Sequence, residues 1–160
     1  MQVSRLEMED QARRRITQLD KKIIHFIGAK NHPLPGEGWI YSIRNALGMS
    51  LKQLGLRLKI TPQGTKDIER REQDGSLTIQ RLREVAAALD MQLVYGLVPK
   101  EQTLDKMIEK RARELAQEIV LKTSHTMHLE NQGLDEIAIK EAIDKRAEKI
   151  KYEMPKDLWN

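Results

Sequence analysis

The sequence predicts an all-α fold with one short strand, on three observations. Apolar residues recur at helical spacing along most of the 160-residue chain, and the runs are separated by Gly, Pro and hydroxyl-bearing residues. Aromatic residues make up 4% and charged residues 32%, which suits small helical elements better than a thick sheet core. Only Met91-Gln-Leu-Val-Tyr-Gly-Leu-Val-Pro99 is rich in β-formers, and it is short and stopped by Pro99.

Residues 3–28 are expected to form a helix with Leu6, Ile16, Leu19, Ile23, Phe26 and Ile27 on one side. Core packing, dimerisation and partner docking all fit such a face. Pro33, Pro35, Gly36 and Gly38 mark residues 31–38 as a linker. Ile40, Ile43 and Leu47 then stripe a helix that ends near Gly48.

Two short helices follow, each opened by a hydroxyl. Ser50 can accept from first-turn amides, and Leu51, Leu54, Gly55 and Leu58 repeat at helical spacing behind it. Thr61 caps the next helix, with Pro62 at the first helical position, where its missing N–H costs nothing. About two residues separate the pair, which is the spacing of a helix-turn-helix, whose second helix enters the major groove of DNA. Gly75 breaks the chain, and Thr78 can cap a further helix striped by Ile79, Leu82, Val85, Ala86 and Leu89.

The strand expected within residues 91–99 cannot satisfy its own backbone and needs a partner. The same strand of a second subunit would give a dimer; an edge elsewhere in this chain is the other option. Residues 103–130 read as one long helix with Leu104, Met107, Ile108, Leu115, Ile119 and Val120 on its buried face. Residues 134–152 read as the last helix, striped by Ile137, Ile139, Ala142, Ile143, Ala147 and Ile150. The expected division is an N-terminal helix and linker (1–38), a helix-turn-helix domain with its terminal strand (39–99) and a C-terminal helical module (100–160).

The net charge of +4 is uneven: residues 1–38 carry +2, residues 39–98 carry +3 and residues 99–160 carry −1. The surplus lies over the helix-turn-helix half but is modest, so one copy would neutralise few phosphates and a dimer on two half-sites is expected. There is no Cys, which excludes a disulfide framework and a Cys-based zinc site. No apolar run is long enough to span a bilayer. The first ten residues are too acidic and polar for a secretory signal, so a cytoplasmic location is expected.

Arg44, the stretch from Ser50 to Glu69 and Leu82-x-x-Val-Ala-x-Ala-Leu89 resemble the phage-repressor (Cro/C1-type, or XRE) helix-turn-helix family. The resemblance implies double-stranded DNA as a partner and a buried ion pair between Arg44 and Glu69. It places Pro62, Gln63 and Asp67 towards base edges. Gln63 can bond an adenine edge bidentately, and Asp67 can accept from a cytosine amino group. Lys66, Arg70 and Arg71, with Ser50, Lys52 and Thr61 at the helix starts, suit phosphates. Two positions depart from the family. Lys59 stands at the turn where the family has Gly, because φ is positive there, and Gly55 stands where the family has the small Ala between the helices. A slightly different turn is expected.

Thr126-Met-His-Leu-Glu130-Asn131 resembles the inhibitory motif of Fic antitoxins, (Ser/Thr)-x-x-x-Glu-(Gly/Asn), which sits on a helix. Fic enzymes transfer AMP from ATP to a hydroxyl of a target protein. The resemblance implies that Glu130 pairs with the Fic arginine that would hold the γ-phosphate, with Thr126 as the orienting hydroxyl one turn earlier and Asn131 ending the motif. Pro35-x-x-Gly38-Trp-Ile-x-x-Ile-Arg-x-Ala-Leu-Gly-Met-Ser50, Glu69-x-x-Glu72-x-x-Gly75 and Ala88-Leu-x-x-x-Leu-Val-Tyr-x-Leu-Val-Pro99 further resemble a bacterial family called mobile mystery protein A, whose members are typically encoded beside a Fic-domain protein.

His125 and His128, three apart on a helix, could share a metal, but a transition-metal site wants three or four ligands, and His25 and His32 are remote in sequence. No metal, no cofactor and no enzymatic activity are expected, since no Gly-rich phosphate loop or catalytic arrangement stands out. The expected function is an antitoxin and autorepressor that binds its promoter as a homodimer and holds off a Fic AMP-transferase. The alternatives are a plain transcriptional repressor with C-terminal dimerisation helices, and an adaptor whose helix-turn-helix binds protein.

Overall fold

A computed structural model describes residues 5–129 and 136–160. The described residues are all-α: α1 (Arg5–Ile27), α2 (Trp39–Ala46), α3 (Leu51–Leu58), α4 (Pro62–Gln73), α5 (Ile79–Ala88), α6 (Leu104–Leu129) and α7 (Glu136–Glu153), with short 3₁₀ turns at Gly28–Asn31 and Lys156–Trp159. None of these helices is long and apolar enough to cross a membrane.

The chain divides into two compact units. One comprises Asn31–Gly96; the other joins Met1–Lys30 to Leu97–Asn160.

In the unit of residues 31–96, Ile40, Leu54, Ile68, Val85 and Leu89 form the buried core, with Ile43, Met49, Leu58, Ile60, Leu77, Leu82 and Ala88 packed round it. Each of the last three helices has a local start signal. Ser50 accepts from the Gln53 N–H at 3.2 Å while the Gln53 side chain accepts from the Ser50 N–H at 2.7 Å, a complete capping box. Thr61 accepts from the Gly64 N–H at 3.0 Å, and Thr78 from the Arg81 N–H at 3.2 Å. Leu47 and Ile79, expected on buried stripes, are 56% and 46% exposed. Both lie at helix termini, where the stripe has turned away from the core.

In the other unit, Ile108, Ala112, Ala116, Ile150 and Leu158 form the core. Ala112 and Ala116, four apart and fully buried, let α7 lie close on α6. Leu158 folds back from the C-terminal 3₁₀ turn, held by Arg111 Nε, which donates to its carbonyl at 2.7 Å. The α1 helix is tied in by Asp20, whose carboxylate accepts from the amides of Leu104 at 2.7 Å and Asp105 at 3.3 Å and so caps α6. Arg13 lies 3.9 Å from the centroid of the Tyr152 ring. The expected buried face of α1 is only partly covered, with Leu6 63% and Leu19 49% exposed. Ile137, placed on the buried stripe of the last helix, is likewise exposed near the start of α7.

Residues 91–99 correct the sequence reading: they form no strand, and there is none among the described residues. A strand is defined by its pairing, and no described segment of this chain offers an edge.

Candidate nucleic-acid interface

The turn between α3 and α4 is set by two residues. Lys59 ends α3 in the left-handed region at φ 57°, ψ 41°, a conformation usually left to Gly. Its neighbour Ile60 donates its N–H back to the Gly55 carbonyl at 2.9 Å. Gly55 is the point of closest approach: a Cβ there would stand 2.8 Å from the Ile60 carbonyl oxygen and 2.9 Å from the Thr65 hydroxyl. The absence of a side chain at Gly55 and the tolerance of a positive φ at Lys59 together bring α4 against α3.

Two carboxylates of α4 then fix it against α2. Arg44 donates to both oxygens of Glu69, Nε to Oε1 at 2.5 Å and Nη2 to Oε2 at 3.2 Å. Its Nη1 donates to the Met49 carbonyl at 2.8 Å and to Asn45 Oδ1 at 3.1 Å, and the guanidinium lies 5.4 Å from the Tyr41 ring centroid. The hydrogen bond to Glu69 raises the Arg44 pKa, more than burial lowers it. Both side chains are almost wholly buried, and their charges are mutually satisfied.

The second carboxylate, Glu72, was not singled out as functional from the sequence, although it stands in the Glu69-x-x-Glu72 pattern. It accepts from the Trp39 N–H at 3.1 Å and the Ile40 N–H at 2.9 Å, so it caps α2 in place of a local side chain. Gly38 is the residue this requires: it has φ 84°, and a Cβ there would lie 2.8 Å from a Glu72 oxygen. The signal was the spacing of three, which puts Glu69 and Glu72 on one face of α4.

The residues assigned to DNA lie on the exposed side of this assembly. Pro62, Gln63, Lys66 and Arg70 are exposed on α4, and Lys52 is exposed on α3. A hollow of about 380 Å³ brings Gln63, Lys66, Asp67 and Arg70 together with Glu37 and Tyr41. Arg70 donates to Asp67 Oδ1 at 2.6 Å and Asp74 Oδ2 at 3.4 Å, and the Asp67 hydrogen bond raises its pKa. Arg71 turns to its own loop, donating to the Ser76 carbonyl at 3.3 Å. The Ser50 and Thr61 hydroxyls serve as the helix caps described above.

Of the second set of residues, Thr126 lies in the last turn of α6. Glu130 and Asn131 lie outside the described residues. The chain matches no protein-family model, no curated protein and no solved structure.

Proposed function

We propose that the protein is an antitoxin and transcriptional autorepressor of the mobile mystery protein A type, acting in the cytoplasm. In this reading α3 and α4 are a Cro/C1-type helix-turn-helix, α4 is the recognition helix, and double-stranded promoter DNA is one partner. The observation that carries the DNA half is the pairing of two capped short helices about a left-handed turn, with Gln63 and Lys66 exposed at the start of the second. Gln63 reads a base edge, and Asp67, held by Arg70, presents an acceptor beside it. Lys52, Lys66 and Arg70 meet phosphates.

The other partner is a Fic AMP-transferase. Glu130 enters its ATP site and takes the arginine that would hold the γ-phosphate, a bidentate and directional pairing. Thr126 orients it and Asn131 ends the helix. The pattern Thr126-x-x-x-Glu130-Asn131 and the resemblance to a family encoded beside Fic proteins support this half. The protein itself catalyses nothing and needs no cofactor.

The test is AMP transfer by the neighbouring Fic protein, co-purified with the wild-type chain and with Glu130→Gly. Labelling should be silent with the first and appear with the second, while the complex stays assembled. Retained inhibition in the variant would leave a plain DNA-binding repressor.

A further inference from the structure

A hollow of about 580 Å³ lies within the unit that joins residues 1–30 to residues 97–160, between α1, the start of α6 and the end of α7. Pockets that take a small organic molecule measure roughly 300–1,000 Å³. One stripe of α1 makes a wall of it: Arg13, Ile16, Thr17, Asp20, Lys21 and Ile24 recur at spacings of three and four. The buried Ile108 and the half-buried Met154 complete an apolar floor with Ile16 and Ile24.

The charges round this floor are not equivalent. Both carboxylates are already committed. Asp20 accepts from the amides of Leu104 and Asp105 at 2.7 and 3.3 Å, and Asp105 accepts from Lys151 at 2.9 Å. Lys151 also donates to Glu109 at 3.0 Å, so it too is engaged. Arg13 and Lys21 are left over: neither side chain makes a hydrogen bond or an ion pair among the described residues. Arg13 is nonetheless held in place. Its guanidinium lies over the Tyr152 ring, 3.9 Å from the centroid, a contact with the ring face that leaves the N–H donors unused.

An apolar floor with spare cations and no spare carboxylate suits an amphipathic anion. We infer that the hollow binds a small organic acid with an apolar body. Its carboxylate pairs with the fork of Arg13, and its body lies along Ile16, Met154 and Ile24 towards Lys21. Residues 13 and 21 are about 12 Å apart along the axis of α1, which leaves room for the apolar body between the two cations. A neutral ligand of the same shape would leave Arg13 unpaired, and a cationic one would be repelled by it. The site uses no residue of the DNA or Fic readings and stands apart from both.

The test is a titration of the full-length protein with anilinonaphthalene sulfonate, an aromatic anion whose fluorescence rises when it leaves water. Binding should saturate at one site, and octanoate should displace the probe. Octylamine and octanol at the same concentrations should not. Arg13→Gln should weaken both anions about tenfold or more, the loss of a charge-assisted hydrogen bond. Ile24→Glu, a second variant at an exposed position of the floor, should weaken them by putting a carboxylate in the hollow. Far-UV circular dichroism should show unchanged helix content in both. Arg14→Gln removes the same charge from the next residue of α1, outside the hollow, and should leave both affinities unchanged. Absence of saturable binding would overturn the site. So would displacement by octylamine or octanol as strong as by octanoate, an unaltered affinity in Arg13→Gln or Ile24→Glu, or an equal loss in Arg14→Gln.

Discussion

Gly55→Ala should destabilise the protein even though it replaces the poorer helix former with the better one. Within a helix the exchange alone favours Ala by about 1 kcal/mol. Against this, the new methyl would sit 2.8 Å from the Ile60 carbonyl oxygen, 2.9 Å from Thr65 Oγ1 and 3.4 Å from the Thr61 carbonyl oxygen. None of these neighbours is the free end of a flexible side chain. Two are backbone, and Thr65 is fully buried with its hydroxyl donating to the Thr61 carbonyl at 3.2 Å. Relief requires α4 to move off α3, and overpacking of this kind costs about 1–3 kcal/mol. The expected net loss is up to about 2 kcal/mol, the overpacking cost less the gain in helix propensity. Gly64→Ala, nine residues on, is the control. Its Cβ would meet nothing closer than Thr61 Oγ1 at 3.4 Å, so it should be neutral or stabilising by up to about 1 kcal/mol. Urea unfolding resolves the difference, because a loss of 1–2 kcal/mol moves the midpoint by about 0.5–1 M at ordinary m-values. A Trp159→Phe background leaves Trp39 as the only indole, so fluorescence reports on the unit of residues 31–96 alone. A Gly55→Ala variant stabilised as much as Gly64→Ala would refute the close approach of α3 and α4.

Four further outcomes follow from the geometry. Glu72→Ala removes the acceptor for two amides at the start of α2 and should cost about 1–2 kcal/mol in the same unfolding assay; no change would mean that water replaces it fully. Asp20→Ala removes the acceptor for the Leu104 and Asp105 amides of α6, leaving Thr103 Oγ1 to accept from Lys106 N–H at 3.1 Å, and should cost about 1 kcal/mol, read by the Trp159 signal in a Trp39→Phe background and not by Trp39 in the reverse one. Lys59→Gly removes the left-handed penalty that a Cβ incurs, while the freedom it adds to the unfolded chain offsets part of this, so a gain of up to about 1 kcal/mol is expected; a loss well beyond that entropy cost would argue against φ 57° at this residue. On operator DNA, Gln63→Ala should cost about 1–3 kcal/mol and relax one base preference, whereas Lys66→Ala should weaken all sequences alike and lower the salt slope by about 1; equal effects on every sequence from both would remove Gln63 from base reading.

The parts of this structure legible in the sequence are those with local causes. The start signals at Ser50, Thr61 and Thr78 are side chains that bond amides three residues on, and Gly75 does adopt φ 72°. What the sequence concealed is non-local. Ala112 and Ala116 carry too little apolar surface to mark a stripe, yet they are fully buried because α7 needs the space. Asp20 reads as surface charge until the start of α6 is seen beside it. Leu158 gives no periodic signal at all, since its burial depends on a single 3₁₀ turn. The strand expected in residues 91–99 failed for the same reason in reverse: β-propensity measures fit to a partner surface, and no described part of this chain supplies one.

The candidate DNA-reading helix is mounted in an instructive way. The core beneath it is small, five buried side chains, and apolar contacts of that kind are non-directional. Orientation comes from polar groups. Glu72 holds the first amides of α2, Glu69 holds Arg44 near its far end, and Arg44 reaches on to the Met49 carbonyl, next to the Ser50 cap that starts α3. Three helices are thus fixed relative to one another through one face of α4, whose opposite side carries Gln63 and Lys66 into solvent. Burying the Arg44–Glu69 pair costs desolvation that Met and Leu of similar volume would not incur. What the pair contributes in return is direction, because a forked guanidinium accepts a carboxylate in one plane. A hydrophobic replacement of both partners should therefore leave stability nearly intact and still weaken DNA binding, by letting α4 turn on a core that does not specify its angle.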